Sequence, residues 1–215
     1  MSESASVSVR EADLRELPLR ERKKLRTRLA LTEAALRMFA ERGYDATTLD
    51  ELCDEVEVSK RTFFRTFPSK EAVALAADTE LWSAYLDEVD GLEFRGPVLE
   101  ALGRSLIATL ERRDADWERR FLAARELCAG VPAVQAHSLG YCDRTTEALI
   151  ARTGARLGMG EDDVRLRMVV ETAIAAWRTA ALAWAAAGGE GGRAGLVRRL
   201  ERTFAAVPDA VALSA

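Results

Sequence analysis

Between Thr48 and Glu71 the chain carries three helix starts, and these constrain the fold more than any other feature. Thr48-Leu49-Asp50-Glu51 has the form of a capping box, in which the Thr48 hydroxyl accepts from the Glu51 amide while the Glu51 carboxylate reaches back. Ser59 precedes Lys60 and Ser69 precedes Lys70, each a hydroxyl residue suited to an N-cap. Glu57-Val58 fills a tight turn, and Pro68 stops the helix before it. The spacing predicts a short helix over about 48–55, a second over 59–66 and a longer one over 70–88. Two short helices joined by a three-residue turn, with longer helices before and after, make a helix-turn-helix layout.

The second short helix has two kinds of residue to place. In VSKRTFFRTFPSKE (58–71) three phenylalanines stand among Lys60, Arg61, Arg65 and Lys70. Phe63 and Phe67 lie four apart and share the face that enters the core. Lys60, Arg61 and Arg65 then point outward, as a helix that reads the DNA major groove requires. Leu49, Leu52 and Val56 give the first short helix its buried side. Upstream, Leu25, Leu29, Leu36 and Phe39 mark one face of an amphipathic helix over 21–42, ended by Gly43.

The formal net charge of −4 argues against nucleic-acid binding only when taken as one number. Residues 10–70 hold 14 Lys+Arg against 12 Asp+Glu, whereas residues 71–215 hold 17 against 22. RERKKLRTR (20–28) has six bases and one acid. The positive charge is concentrated where the helix-turn-helix pattern lies.

The rest of the chain also reads as helical. Pro97 opens a helix over 97–112. Asp114 or Asp116 starts another that ends at Gly130, and Pro132 the next, to about 153. Thr153-Gly154 to Gly160 is a connector. Glu161 to Ala187 is long and alanine-rich, Gly188–Gly192 is a hinge, and a last helix over 193–207 stops before Pro208. Nothing competes as a strand, so the expected fold class is all-α with about nine helices. Residues 1–18, polar and rich in Ser and Glu, read as a mobile arm. They lack the apolar core of a signal peptide. No apolar run approaches the ~20 residues that span a bilayer. No membrane association is expected, and a cytoplasmic protein is.

Motifs of chemistry are weak. Cys53, Cys128 and Cys142 are odd in number and widely spaced, and they imply no disulfide framework. Ala136-His137-Ser138-Leu139-Gly140 has the letters of a nucleophile elbow, but no strand precedes it. His137 is the one histidine, and being adjacent to Ser138 it cannot act across the site as that serine's base. Gly189-Glu190-Gly191-Gly192-Arg193-Ala194 follows a helix rather than a strand, so it is not a dinucleotide loop. No metal-ligand spacing is present. No enzyme, cofactor or metal is expected. The alternative to a DNA-binding protein is a helical enzyme or adaptor that keeps a relic of the reading head.

RGYDATTLDELCDEVEVSKRTFFRTFPSKEAV (42–73) resembles the DNA-binding segment of the TetR (tetracycline repressor) family of bacterial transcription regulators. It has the Gly-aromatic pair, the Thr-rich start, Val-Ser, a Thr-aromatic pair and Phe-x-Ser-Lys-Glu in order and without gaps. The resemblance covers about residues 21–75. The Arg-Thr-Phe-Phe-Arg wording and the RERKKLRTR lead-in are similar to actinobacterial members. It implies that Thr47 and Thr48 hold a phosphate. Lys60, Arg61 and Thr62, following the cap Ser59, would approach base edges. Phe64, Arg65 and Thr66 would touch backbone and bases, and Lys70 would hold a phosphate. Phe64 stands where tyrosine is frequent, Thr66 where an aromatic or His is, and Glu57 where glycine is. Arg61 could pair bidentately with a guanine or hold phosphate.

The same resemblance implies a C-terminal domain that binds an inducer and dimerises through its last two helices, here 161–187 and 193–207. Trp177 and Trp184, seven apart among alanines, suit a dimer seam or a core within one chain. A two-fold dimer predicts a near-palindromic operator. Trp117, Phe121, Arg125, Cys128, Tyr141, Thr145 and Met168 are the expected lining of a cavity for a hydrophobic inducer, whose binding would release a repressor from DNA. The implied division is a mobile arm at 1–18, a helix-turn-helix domain at 19–68 and a ligand-binding and dimerisation domain at 69–215.

Overall fold

The structure, a computed structural model, describes residues 18–214. Residues 1–17 of the expected arm lie outside the described residues. Ten helices and no strand occur among the described residues: α1 (Leu19–Arg42), α2 (Leu49–Glu55), α3 (Lys60–Thr66), α4 (Lys70–Ala74), α5 (Ala76–Gly91), α6 (Val98–Glu111), α7 (Trp117–Gly130), α8 (Pro132–Leu157), α9 (Val164–Ala186) and α10 (Gly192–Val211). No helix among them is long and apolar enough to cross a membrane. No group of three or more His, Cys, Asp or Glu among them could hold a metal ion. The chain forms two compact units. One comprises the described residues to Ala77 with Asp114–Ser138, the other Asp78–Arg113 with the chain from Leu139 onward.

The first unit is built around the three caps. The Thr48 hydroxyl accepts from Glu51 N (3.2 Å), and Glu51 Oε2 accepts from Thr48 N (2.9 Å), completing the capping box. These bonds hold the Glu51 carboxyl below its usual range. Ser59 Oγ accepts from Thr62 N and Ser69 Oγ from Ala72 N, both at 3.2 Å. In the turn, Glu57 takes a left-handed conformation (φ 54°) that costs a residue with a Cβ about 1–2 kcal/mol. Phe63 and Phe67 are buried, as their spacing predicts, in a core with Leu31, Met38, Phe39, Leu52 and Val73. On α1 the buried face is Leu31, Ala34, Ala35, Leu36, Met38 and Phe39, whereas Leu25 and Leu29 are only half-buried.

Two local expectations change in this unit. The helix predicted over 70–88 breaks at Leu75 (φ −100°, ψ 22°), a residue buried in the core, which separates α4 from α5. The segment 114–130 is part of the same unit as the reading head. The Trp117 indole N–H donates to Ala77 O (2.9 Å). The guanidinium of Arg120, only 1% exposed, grips both oxygens of Asp114 (3.2 and 2.8 Å), and Arg119 pairs with Glu33 of α1 at 2.5 Å. Such a buried charge stays only because its partner is fixed beside it.

In the second unit α9 packs on α10 and α6. Trp82 meets Trp177 edge-on (5.7 Å between centroids), and the Tyr85 hydroxyl donates to Leu102 O (3.0 Å). Trp177, Trp184, Ala173, Ala176, Ala180 and Ala181 are all buried within one chain. The tryptophans therefore belong to this core, the second of the two places expected for them, and not to a dimer seam. Gly195 lets α10 approach the α9–α10 turn: a Cβ there would sit 2.2 Å from Glu190 O. Two helices outrun their expected ends. α8 continues to Leu157 through Gly154, where a Cβ would meet Met159 O and Leu166 at 2.9 Å. α10 continues through Pro208 to Val211, and the Pro208 carbonyl accepts from Ala212 N (3.2 Å).

Candidate nucleic-acid interface

Helix α3 divides its side chains between core and solvent. Phe63 and Phe67 fix it from below, their rings 6.1 Å apart. Lys60, Arg61, Phe64 and Arg65 are exposed on the other side. Among the described residues, the Arg61 and Arg65 side chains make no ion pair or hydrogen bond. Lys60 instead reaches Asp50 of α2 (2.7 Å), and this hydrogen bond raises its pKa. A Lys60–phosphate contact would have to exchange one anion for another, whereas Arg61 and Arg65 stand ready. Phe64 is 51% exposed and packs its edge on Phe63 (5.4 Å), so the third phenylalanine offers an apolar surface rather than a hydrogen bond.

The hydroxyls near α3 are largely occupied. Thr62 Oγ1 lies 3.1 Å from Ser59 Oγ, and Thr66 donates back to Thr62 O (2.9 Å). Thr48 is exposed at the start of α2 and keeps its cap. Thr47 is a correction. It is buried, and its hydroxyl points to Gly43 O (2.9 Å) and Met38 O (3.3 Å), so its side chain pins the loop and does not face a phosphate.

Lys70, expected to hold a phosphate, turns its side chain toward the 44–47 loop. Its ammonium donates to Tyr44 O (2.6 Å) and Thr47 O (2.9 Å) and lies 4.0 Å from the centre of the Tyr44 ring. The Tyr44 hydroxyl donates to Glu71 (2.8 Å), which closes the clamp. Lys70 therefore ties the 44–47 loop to α4, with two of its three donors spent inside the protein. This inward turn has no signal in the sequence, because the loop carbonyls that attract it are backbone groups. The Asp50 partner of Lys60 also depends on how α2 and α3 cross, which one-dimensional spacing does not give.

The expected ligand residues are divided between the two units. Trp117, Phe121, Arg125 and Cys128 lie along α7 in the first unit. Trp117 stacks on Phe121 (4.9 Å), and the Arg125 guanidinium lies over the Phe121 ring, 4.9 Å from its centre. Cys128 packs against the head's core. Tyr141 and Thr145 lie on α8 in the second unit, where burial raises the Tyr141 pKa against hydrogen bonds to Thr145, Thr79 and Ser83. Met168 departs from its expected place: it is 59% exposed on α9 and lines no interior of its unit.

Residues 31–77 match bacterial regulatory proteins of the tetR family, and residues 96–212 match the MftR C-terminal domain. The chain is 33% identical over 172 residues to the HTH-type transcriptional regulator TcmR of Streptomyces glaucescens, covering 77% of this chain and 76% of that protein. The chain belongs to the TetR family. This TetR-family chain is thus a transcriptional regulator with a DNA-binding helix-turn-helix, and its relatives are regulators rather than enzymes. It also shares 44% identity over 46 residues with the regulator YuxN of Bacillus subtilis, 21% of this chain and 16% of that one. A TetR-family regulator from Streptomyces coelicolor has a similar fold (TM-score 0.52, 26% identity, 91% of this chain and 84% of that chain). The TetR-family match over the reading head covers α2, α3 and α4, the segment that carries Arg61 and Arg65.

Proposed function

We propose that this protein is a ligand-responsive repressor that binds a near-palindromic operator as a dimer and is released by a small hydrophobic inducer. The observation that carries the DNA-reading part is the split of α3: a buried Phe63–Phe67 anchor beneath exposed Arg61 and Arg65, which make no ion pair among the described residues. Arg61, near the start of the helix, is suited to a guanine edge, which arginine reads with two parallel hydrogen bonds. Arg65 and Thr48 are suited to phosphate. Phe64 is suited to a thymine methyl or a sugar.

Dimerisation through α9 and α10 is supported by an uncharged stripe on α9: Met168, Thr172, Ala175, Thr179, Leu182 and Ala186. The two threonine hydroxyls donate to carbonyls one turn back (2.7 and 2.8 Å), which leaves their methyl groups outward. Seen this way, the seam uses the face opposite the tryptophans. A functional boundary at 68/69 would leave the reading head to one side of it and the inducer and dimer functions to the other. For the inducer, Tyr141 and Thr145 with Thr79 and Ser83 supply hydroxyls for a polar end of the ligand. Trp117, Phe121, Arg125 and Cys128 on α7 are the remaining ligand-facing proposals.

The test is selection of bound fragments from a randomised duplex pool by the full chain, followed by mobility shifts at rising salt. A palindromic winner whose affinity falls steeply with salt supports the reading. Failure to enrich any duplex overturns it and leaves a helical protein with a relic reading head. Extraction of small molecules from the purified protein, and their return to the DNA complex, tests release by an inducer.

A further inference from the structure

Helix α2 carries Asp50, Glu51, Asp54 and Glu55, four acids on the element next to the reading helix. Two of them turn to α1, where Glu51 pairs with Arg42 (3.7 Å) and Glu55 with Arg37 (2.5 Å). Asp50 turns to α3 instead. Its Oδ1 meets the Lys60 ammonium at 2.7 Å, and the two side chains are 70% and 54% exposed. Lys60 is exposed with Arg61, Phe64 and Arg65, so the pair brings a negative charge to the reading face.

Fold stability does not account for this placement. A pair so open to water contributes little, because solvent screens it and two side chains lose freedom to hold it. For binding a duplex, a carboxylate at this face is a cost, since like charge on the phosphates repels it. A base edge is different. In the major groove cytosine offers its N4 amino group as a donor, which a carboxylate accepts, and guanine offers N7 and O6 as acceptors.

The free capacity of the pair matches that pattern. An ammonium has three donors, and a carboxylate has two accepting oxygens. Among the described residues, the Lys60 ammonium and the Asp50 carboxylate bond only each other. Two donors remain on Lys60, and Oδ2 remains on Asp50 with part of the capacity of Oδ1. In a G·C pair, guanine O6 and cytosine N4 are hydrogen-bonded to one another at about 2.9 Å. The ammonium and Oδ1 stand at nearly that spacing. Laid along the edge of the base pair, the ammonium meets guanine O6 and N7 while the carboxylate meets cytosine N4. The reversed base pair sets ammonium against amino group and carboxylate against O6.

We infer that Asp50 and Lys60 act as one donor–acceptor unit that reads a G·C base pair in the major groove, so that α2 shares base choice with α3. The inference rests on the DNA-binding reading above. Lys60 thereby keeps its counter-ion on binding, and no anion has to be exchanged.

The test uses the full chain and the duplex it selects from a randomised pool, with affinities for every single-base variant of one half-site. One G·C pair is expected whose replacement weakens the unaltered chain about tenfold or more. Asp50→Ala is expected to erase that preference and to leave the others as they were, including the one lost in Arg61→Ala. Lys60→Met repeats the test from α3 and is expected to relax the same base pair. The double variant is expected to lose no more discrimination there than either single variant, as coupled partners do. If Asp50→Ala instead binds every duplex more tightly by one factor, with all preferences intact, the carboxylate only repels phosphate. That result overturns the inference and leaves the DNA-binding reading standing. If the unaltered chain selects no duplex, the DNA-binding reading itself fails, and this inference fails with it.

Discussion

The segment 44–71 and helix α9 both mix aromatic residues with positions that a sequence alone must assign to one face or another. In the segment the assignment holds: Phe63 and Phe67 are buried and Arg61 and Arg65 exposed. In α9 the two tryptophans that would mark a seam with a partner lie instead in the chain's own core. The difference is one of neighbours. In α3, lysine and arginine flank the phenylalanines, and a charge declares which side faces water. In α9 the neighbours are alanines, which pack on either side at little cost and declare nothing. The stripe left outward is marked only by Met168, Leu182 and two threonines whose hydroxyls are turned back on their own helix.

The largest effect that can break this comparison is at Trp184. If it is a core residue, Trp184→Ala costs about 3–5 kcal/mol of folding stability, in a transition independent of protein concentration. Leu182→Glu, on the outward stripe, is expected to do the reverse and weaken self-association with little change in protomer stability. Calorimetry and sedimentation on both variants separate the cases. Weakened association in Trp184→Ala with stability preserved would return the tryptophans to the seam.

Within the segment, Lys70 comes next. Loss of its two charge-assisted bonds to Tyr44 and Thr47 carbonyls in Lys70→Met is expected to cost about 1.5–3 kcal/mol in thermal unfolding. The salt slope of DNA binding is expected to stay as it was. A shallower slope with unchanged stability would restore Lys70 to phosphate binding. A smaller and opposite change is expected at the turn. Glu57→Gly relieves the left-handed strain and raises stability by up to about 1 kcal/mol, the gain being reduced by the entropy glycine adds to the unfolded chain. A loss of stability on denaturant titration would mean that Glu57 makes a contact worth more than its strain.

The smallest effect is at the α2 cap. Hydrogen bonds from Thr48 lower the Glu51 pKa in the folded state. A depressed carboxyl contributes stability above its unfolded pKa and loses it as pH falls through the folded value. The stability gap between the unaltered chain and Glu51→Gln should therefore be full at neutral pH and close in acid. A gap that is flat with pH would remove the charge from the capping box.

How much was legible follows from where each signal lives. The caps at Thr48, Ser59 and Ser69 and the anchors Phe63 and Phe67 are local, and the sequence states them within four residues. Glycine and proline read as stops, so the sequence places the ends of α8 and α10 too early. Gly154 is needed for close approach of Met159 and Leu166, and Pro208 keeps its carbonyl as an acceptor. The break at Leu75 has no glycine or proline to announce it. The bonds of Thr47 and Lys70 are not legible, because their partners are backbone carbonyls from another turn of chain. The basic run RERKKLRTR was visible as charge, but its meeting with Arg65 in one groove needs the crossing of α1 and α3.

The central claim is that α3 reads bases through Arg61 while the charges around it position the duplex. The measurement that tests it is the affinity of Arg61→Ala for the selected operator and for each single-base variant of one half-site. The expected result is loss of discrimination at one base pair, worth about 1–3 kcal/mol, with preferences elsewhere retained. An equal loss of affinity for every sequence, with all preferences intact, would contradict it and make Arg61 one more phosphate contact.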